Sequence, residues 1–139
     1  MTRVAITGLG AVSAFGVGAD TLYDALVAGT SGVKEITAFD VSLYSTRFGA
    51  YLDSWDPSPW LDPKEARRMA RFQQFAIAAA DEAIAQSGLV IDETNAERVG
   101  VIVGSGIGGL STMEEQVAVL AERGPSRVSP FLVPMMIVD

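Results

Sequence analysis

Two short runs of aliphatic and β-branched residues, each followed by a glycine-rich loop, constrain the fold of this chain more than any other feature. Val4–Thr7 precedes the loop GLGAVSAFGVG, and Val99–Val103 precedes GSGIGG. Such runs predict buried strands, and the second is typical of a strand covered on both faces. Because segments with helical spacing of apolar residues lie between and after these runs, the sequence predicts an α/β layered fold.

Capping residues mark the predicted ends of three helices. Each predicted helix begins at a side chain that can accept a bond from the N–H groups of the first turn, and each ends at a glycine. The segment RFGAYL is the best strand candidate between the first two helices. The expected N-caps are Asp20, Asp62 and Ser111, the last in a capping box with Glu114, and the expected terminating glycines are Gly29, Gly88 and Gly124.

The absence of cysteine and histidine from the 139 residues excludes several kinds of site. The chain can build no disulfide framework, thiolate metal site, Cys–His pair or Ser-His-Asp triad. A formal net charge of −7 argues against a nucleic-acid partner. No apolar run approaches the roughly 18 residues of a membrane span, and no signal-peptide pattern is present. We therefore expect a soluble cytoplasmic protein with no membrane association, metal or cofactor.

Four of the ten basic residues cluster within eight positions. Lys64, Arg67, Arg68 and Arg71 have the spacing i, i+3, i+4 and i+7, which places them on one face of a helix that begins at Asp62. A local basic face on an acidic chain indicates an acidic partner. The alternative is an ordinary solvated helix face.

Residues 104–109 fit the G-x-G-x-x-G spacing that binds dinucleotides in a Rossmann fold. We expect this loop not to bind a phosphate, because a capping box would already satisfy the next helix and because Glu114 and Glu115 would repel an anion there. No strand ending in Asp or Glu follows about 20 residues later. The prediction is that the glycines let backbone pass close to another element, with Ile107 projecting from the loop.

Five segments, in this order and spacing, closely resemble the N-terminal part of β-ketoacyl-acyl carrier protein synthases, above all the elongating type II bacterial enzymes of fatty acid synthesis. The segments are VAITGLGAVSAFG, LVAGTSGV, KEARRMARF, VGVIVGSGIGGL and GPSRVSPFLVPMMIV. The resemblance implies a thiolase-like layered fold (α-β-α-β-α) of two similar α/β halves, assembled as a homodimer. Residues 1–139 are then expected to form a partial ketosynthase domain, most of the N-terminal half only, that stops before the catalytic cysteine.

The resemblance also implies a reaction, the decarboxylating Claisen condensation of a 3-oxoacyl-acyl carrier protein synthase. A cysteine takes an acyl group from acyl carrier protein, two histidines help to decarboxylate malonyl-acyl carrier protein, and the resulting carbanion attacks the thioester. In the family these three residues lie downstream of the matching segments. The 139 residues contain no cysteine or histidine, and we predict that they are inactive by themselves.

Three apolar residues are assigned to acyl binding by the same resemblance. Ile107 matches the isoleucine that gates the acyl-chain pocket, and Leu110 matches a residue that lines it. Leu132 occupies a position where the family often has a phenylalanine that reaches the acyl pocket of the partner subunit. Ordinary core packing is the alternative role for Ile107 and Leu110.

The resemblance supplies a partner for the basic cluster. Lys64, Arg67 and Arg68 match a basic stretch that docks the acidic acyl carrier protein, and Arg127 matches a second such position. Arg71 joins them as the fourth member of the predicted helix face. Steering an acidic partner to such a face raises the association rate more than the affinity.

Three other functions remain open at this stage. The first is a polyketide ketosynthase or its inactive chain-length partner subunit, which the residue at the downstream cysteine position would distinguish. The second is a non-catalytic module that docks a carrier protein through the basic face. The third is a nucleotide-binding domain, which titration with NAD or ATP would detect.

Overall fold

The computed structural model describes residues 3–137, which fold as two compact units. The first unit contains the chain up to Asp56 together with Ala78–Gly88, and the second contains Pro57–Ile77 and the chain from Leu89 onward. In the described part of the chain, no helix is both long and apolar enough to cross a bilayer.

The elements in chain order are β1 (Val12–Ser13), β2 (Gly16–Val17), α1 (Ala19–Val27), β3 (Val33–Glu35), β4 (Phe48–Ala50), α2 (Pro63–Ala66), α3 (Arg71–Ser87), a 3₁₀ turn (Ala96–Arg98), α4 (Leu110–Arg123), a second 3₁₀ turn (Pro125–Arg127) and α5 (Leu132–Met136).

Two antiparallel hairpins, α1 and the later part of α3 form the first unit. β1 pairs with β2, and β3 pairs with β4, with Val33 opposite Ala50 and Glu35 opposite Phe48. The strand prediction for RFGAYL is confirmed, because β4 occupies the centre of that segment. Ala78 on α3 is the fully buried apolar residue of this unit among the residues described.

The first glycine-rich loop packs against the later part of α3. A Cβ atom added at Gly8 would lie 1.9 Å from the carbonyl oxygen of Ala83, and one added at Gly10 would lie 1.8 Å from that of Ala79. Glycines on the loop and alanines one turn apart on the helix therefore allow a contact that larger side chains would prevent.

Glu82 on α3 holds the start of α1, where the sequence predicts a cap at Asp20. The helix begins at Ala19, and Gly18 occupies the N-cap position with no side-chain cap bond. The Glu82 carboxylate instead accepts from the N–H of Ala19 (2.7 Å) and from that of Ala11 (2.9 Å). The predicted cap is wrong because a carboxylate distant in sequence satisfies the N–H that a local cap would have taken.

The predicted helix ends are confirmed at all three glycines. Gly29, Gly88 and Gly124 follow α1, α3 and α4 with φ angles of +65°, +66° and +81°. Residues with a Cβ atom rarely adopt this left-handed conformation, so a glycine is the residue that stops a helix there.

The long helix predicted from Asp62 onward is two helices in the structure. α2 begins as predicted, because the Asp62 carboxylate accepts from the N–H groups of Lys64 (2.7 Å) and Glu65 (2.9 Å). It ends at Ala66, however, and α3 begins only at Arg71. A single continuous helix through this region is therefore a wrong prediction.

Two glutamine side chains explain why the chain can leave the helix here. The Gln73 Oε1 accepts from the N–H of Ala70 (2.8 Å), just before α3. The Gln74 Nε2 donates to the carbonyl oxygens of Ala66 (2.8 Å) and Met69 (3.1 Å). These bonds satisfy backbone groups that a continuous helix would have paired internally, so the break leaves fewer of them unpaired.

α4 begins two residues earlier than predicted and without a capping box. Its N-cap is Gly109, no side chain caps it, and Leu110 is its first residue. Ser111 is therefore inside the helix, and Glu114 lies beyond its first turn. α5 and the second 3₁₀ turn pack against α4, and Leu61 and Ala70 are buried in the second unit.

The runs Val4–Thr7 and Val99–Val103 form no strand in the part of the chain that the structure describes. Val4 is 92% exposed and Ile102 is 99% exposed. A strand needs a neighbour that pairs with its N–H and C=O groups, and the described strands pair only within the two hairpins. Both strand predictions are wrong for this structure, and the runs remain as exposed apolar surface.

Candidate functional site

The second glycine-rich loop sits on the C-terminal end of α5 in the second unit. The N–H of Gly109 donates to the carbonyl oxygen of Met136 (3.1 Å), and the N–H of Gly108 donates to the Ser105 Oγ (2.9 Å). A Cβ atom at Gly108 would lie 1.9 Å from the Met136 oxygen, and one at Gly109 would lie 2.2 Å from the Met135 oxygen. Since carbon and oxygen atoms in contact need more than 3 Å, only glycine allows this seating.

The prediction that the glycines permit close backbone packing is confirmed at Gly109 and wrong at Gly104 and Gly106. A Cβ atom added at either of the last two would meet no heavy atom within 4 Å. Gly108, which the motif spacing does not single out, has the close contact and a φ of +76° as well. The glycines that matter structurally are therefore the consecutive pair before α4.

Ile107 precedes this clamped pair and is 75% exposed. The backbone on its C-terminal side is held by the contacts to α5, while its side chain extends away from packed surroundings. Core packing, the alternative role for this residue, is therefore not what the described structure contains. Ile107 is placed as an apolar side chain at the rim of a fixed loop.

A cleft of about 210 Å³ adjoins the same loop. Its lining residues are Ala70, Arg71, Phe72 and the stretch 108–112, which includes Leu110. Leu110 is 56% exposed at the start of α4. The structure thus brings Leu110 together with the first residues of α3 around one opening. Ile107 does not line the cleft and directly precedes Gly108, which does.

Two arguments against phosphate binding at this loop are wrong, and the first is the capping box, which α4 does not have. Glu114 and Glu115 lie beyond the first turn of α4, which contains no acidic residue, and Arg71 lines the adjoining cleft. What argues against a phosphate is that the Gly109 N–H already donates to the carbonyl oxygen of Met136. No close backbone contact explains the presence of Gly104 and Gly106.

α5 carries Leu132 as its first residue, and that side chain is half-buried. The N–H of Leu132 donates to the carbonyl oxygen of Ser129 (3.1 Å), and the N–H of Ser129 donates to the Gln116 Oε1 on α4 (2.7 Å). The loop seats on the other end of the same short helix. α5 has five residues and therefore lies between Leu132, its first residue, and the loop that carries Ile107 and contacts its last residue.

The basic residues are exposed but do not form the single helical face predicted from their spacing. The break between α2 and α3 ends that face, so this part of the prediction is wrong. Arg67 donates from Nε to the carbonyl oxygen of Pro63 (2.8 Å). The Arg68 guanidinium lies 4.7 Å from the centre of the Phe131 ring, next to Leu132 in sequence.

Arg71 and Arg127 complete the basic surface, and Asp62 lies beside it in sequence. The Arg71 guanidinium lies 5.2 Å from the centre of the Phe75 ring on α3. Arg127 is exposed on the 3₁₀ turn after α4, a different element from the other four basic residues. The N–H groups of Glu65 and Lys64, and to a smaller degree the charge of Arg68, lower the pKa of Asp62 below its ordinary value of 3.8.

Sequence reasoning missed the glutamines that organise this site. Gln73 lies at the third position of α3, where a glutamine often bonds back to the residue before the helix. That residue is Ala70, which has no capping side chain, so the usual capping-box pattern is absent. The Met135 and Met136 carbonyls carry no sequence signal at all, because every residue has such a group.

Comparison with known proteins places the chain in a family. The family model described as "Beta-ketoacyl synthase, N-terminal domain" matches residues 1–138. Curated relatives named 3-oxoacyl-(acyl-carrier-protein) synthase 2, from Synechocystis sp. and Coxiella burnetii, are 45% and 47% identical over 137 residues. The match covers 99% of this chain and 33% of each relative, so the chain spans about a third of their length.

Solved structures show the same relationship. A β-ketoacyl synthase from Burkholderia phymatum matches with a TM-score of 0.75 at 29% identity, over 99% of this chain and 34% of that one. The ishigamide ketosynthase/chain length factor matches with a TM-score of 0.76 at 27% identity, over 97% and 34%. A type II polyketide ketosynthase in complex with its acyl-carrier protein, at 22% identity and a TM-score of 0.78, shows the fold alone. The thiolase-like fold class is thereby confirmed, and the chain belongs to the β-ketoacyl synthase family, whose N-terminal domain it matches.

Proposed function

We propose that this chain is the carrier-docking and acyl-gating part of a 3-oxoacyl-acyl carrier protein synthase of fatty acid biosynthesis. The reaction is the decarboxylating Claisen condensation of an acyl-enzyme with malonyl-acyl carrier protein. The 44–47% identity to synthases with this name supports the assignment. Residues 1–139 would form a partial ketosynthase domain, and the cysteine and histidines of catalysis would come from outside them.

The main support for the proposal is that Ile107 has an exposed side chain next to backbone that is held in place. A gate for an acyl chain must be apolar, must be able to move, and must be attached to backbone that stays in place. Ile107 is exposed and lies directly before two glycines seated on α5. Rotation of this side chain, beside the cleft that Leu110 lines, would open or close access for an acyl chain.

Docking of acyl carrier protein is assigned to the exposed basic residues. Lys64 lies on α2 and Arg71 is the first residue of α3, with Arg67 and Arg68 in the turn between the two helices. Arg127 adds a second position. The names of the relatives include an acyl carrier protein, which supports this partner. Cations near the surface steer an acidic partner by long-range attraction, so their effect is expected mainly in the association rate.

The complete protein is proposed to be a cytoplasmic homodimer without a cofactor. Leu132 would reach toward the acyl pocket of the partner subunit. The loop of residues 104–109, which carries Ile107, is called the gate loop here. The place of Leu132 on α5, on which the gate loop sits, supports a link between the dimer interface and the gate. Leucine is shorter than the phenylalanine often found there in the family, so the pocket depth and chain-length preference would differ.

A polyketide ketosynthase or chain-length partner subunit is the second candidate. The ishigamide ketosynthase/chain length factor has a fold as similar to this chain as that of the β-ketoacyl synthase from Burkholderia phymatum. Its identity of 27% is far below the 45% of the fatty acid synthase relatives, so this candidate ranks second. A non-catalytic carrier-binding fragment would share the docking residues and lack condensation.

The decisive experiment is to read the coding sequence beyond the Asp139 codon and to express the complete reading frame. A frame with one cysteine followed by two histidines, whose product condenses acyl- with malonyl-acyl carrier protein, would support the proposal. A different residue at the cysteine position, with no condensation, would favour the chain-length partner subunit. A stop codon directly after Asp139 would refute an enzymatic role, and carrier binding by the chain itself would then be measured.

A further inference from the structure

The side-chain amide of Gln73 makes three hydrogen bonds that join two helices of the second unit. Its Oε1 accepts from the N–H of Ala70 (2.8 Å), the residue before α3. Its Nε2 donates to the carbonyl oxygens of Pro134 (2.8 Å) and Ile137 (3.0 Å), at the end of α5. Both amide hydrogens and one acceptor site are therefore in use, which is most of what a glutamine side chain can offer.

The groups that Gln73 bonds are those that helices leave unpaired at their ends. The first N–H groups of α3 and the last carbonyls of α5 have no partner within their own helices. α5 has only five residues, and a helix this short is not stable by itself in water. Its position therefore depends on tertiary bonds such as those from Gln73.

The end of α5 that Gln73 holds is also the surface on which the gate loop sits. The carbonyl oxygen of Met136 accepts from the Gly109 N–H, and the Met135 and Met136 oxygens are the atoms that leave room only for glycine. A continuous path of contacts runs from Gln73 through α5 to the residue that follows Ile107.

We infer that Gln73 is a positioning residue for the acyl gate: by holding the C-terminal end of α5, it fixes the seat of the loop that carries Ile107. The inference rests on the proposed function for its consequence in catalysis. The mechanical part, that Gln73 controls the seating of residues 107–109, stands on the hydrogen bonds alone.

Two substitutions separate this role from simple helix capping. Gln73→Leu removes all three bonds, whereas Gln73→Glu keeps an acceptor for the Ala70 N–H and, when ionised, loses both donors to α5. Gln86→Leu is the matched control, because Gln86 also makes a bond distant in sequence, from the Leu9 N–H (2.6 Å), in the first unit.

Hydrogen–deuterium exchange of the complete protein tests the seating directly. We expect the amides of residues 108–110 and 135–137 to exchange about ten-fold faster in both Gln73 variants, since both hydrogen bonds from Gln73 to α5 are lost in each. The start of α3 should lose protection only in Gln73→Leu. Gln86→Leu should leave the loop unchanged. Unchanged exchange of the loop in both Gln73 variants would overturn the inference.

Acyl-chain preference tests the consequence for the gate. The ratio of kcat/KM for long and short acyl substrates should shift several-fold in Gln73→Glu, while the KM for carrier protein stays within two-fold of wild type. Faster exchange with an unchanged ratio in an active enzyme would overturn the gating role. If the wild-type protein does not condense at all, the proposed function fails, and the exchange data still decide whether Gln73 positions the loop.

Discussion

A methyl group added at Gly108 should displace the gate loop from α5. The Cβ atom would lie 1.9 Å from the Met136 oxygen, and the residue has a φ of +76°. A residue with a Cβ in this conformation costs about 1–2 kcal/mol, and overpacking costs about 1–3 kcal/mol. Gly108→Ala should therefore cost about 2–5 kcal/mol of loop seating. Gly109→Ala, which carries only the packing cost, should lose about 1–3 kcal/mol.

The same loop contains its own controls. Gly104 and Gly106 have no positive φ, and a Cβ atom at either would meet nothing within 4 Å. Replacing either of them by alanine should be neutral or stabilise by about 0.4–1 kcal/mol, because the unfolded chain loses conformational freedom. All four variants carry the same chemical change, so any difference among them comes from the tertiary surroundings.

Hydrogen–deuterium exchange of residues 105–110 and of α5, together with thermal unfolding of the complete protein, would measure the effect. We expect fast exchange in Gly108→Ala and Gly109→Ala and wild-type exchange in the other two. Equal damage at all four positions would refute the reasoning. Damage confined to Gly104 and Gly106 would do the same and would point to a ligand or neighbouring segment that approaches those glycines.

Three further predictions concern docking, gating and pH. Replacing Arg67 and Arg68 together by glutamate should lower kcat/KM for carrier substrates about ten-fold at low salt and by less at high salt. Arg98→Glu is the control, and unchanged kinetics in the double variant would contradict the docking assignment. Ile107→Phe should lower kcat/KM for long acyl chains about ten-fold and leave short ones unaffected, and an unaltered chain-length profile would count against the gate. The pKa of Asp62 in the folded protein is lowered from its ordinary value of 3.8. The stabilisation of α2 by Asp62 is therefore complete above pH 3.8 and is lost as the pH falls through the lower pKa of the folded state. An NMR titration of the Asp62 carboxyl group that shows no downward shift of the pKa would contradict this.

The helix ends were predictable because their causes are local. Asp62 caps α2 through the N–H groups two and three residues away, and Gly29, Gly88 and Gly124 stop their helices through their own backbone angles. The break between α2 and α3 was not predictable from spacing. It depends on Gln74, whose side chain bonds to carbonyls five and eight residues back only in the folded arrangement.

The strand predictions failed for a different reason. The run Val99–Val103 has the composition of a buried strand. Such residues favour a strand that is paired with a neighbour and covered on both faces. Pairing requires a second strand, which the described residues do not place beside it. Ile102 is consequently 99% exposed, although its residue type and neighbours are those of a core.

By itself, the sequence determined the family, the absence of cysteine and histidine within these residues and most helix ends, and it selected Ile107 as the residue proposed to be the gate. These follow from residue order and from groups within a few positions of each other. Only the tertiary structure decided which glycines are obligatory, how the basic residues are distributed and which glutamine holds α5. Those properties depend on carbonyls and amides brought together from distant positions, and every residue type carries such groups, so no local pattern distinguishes them.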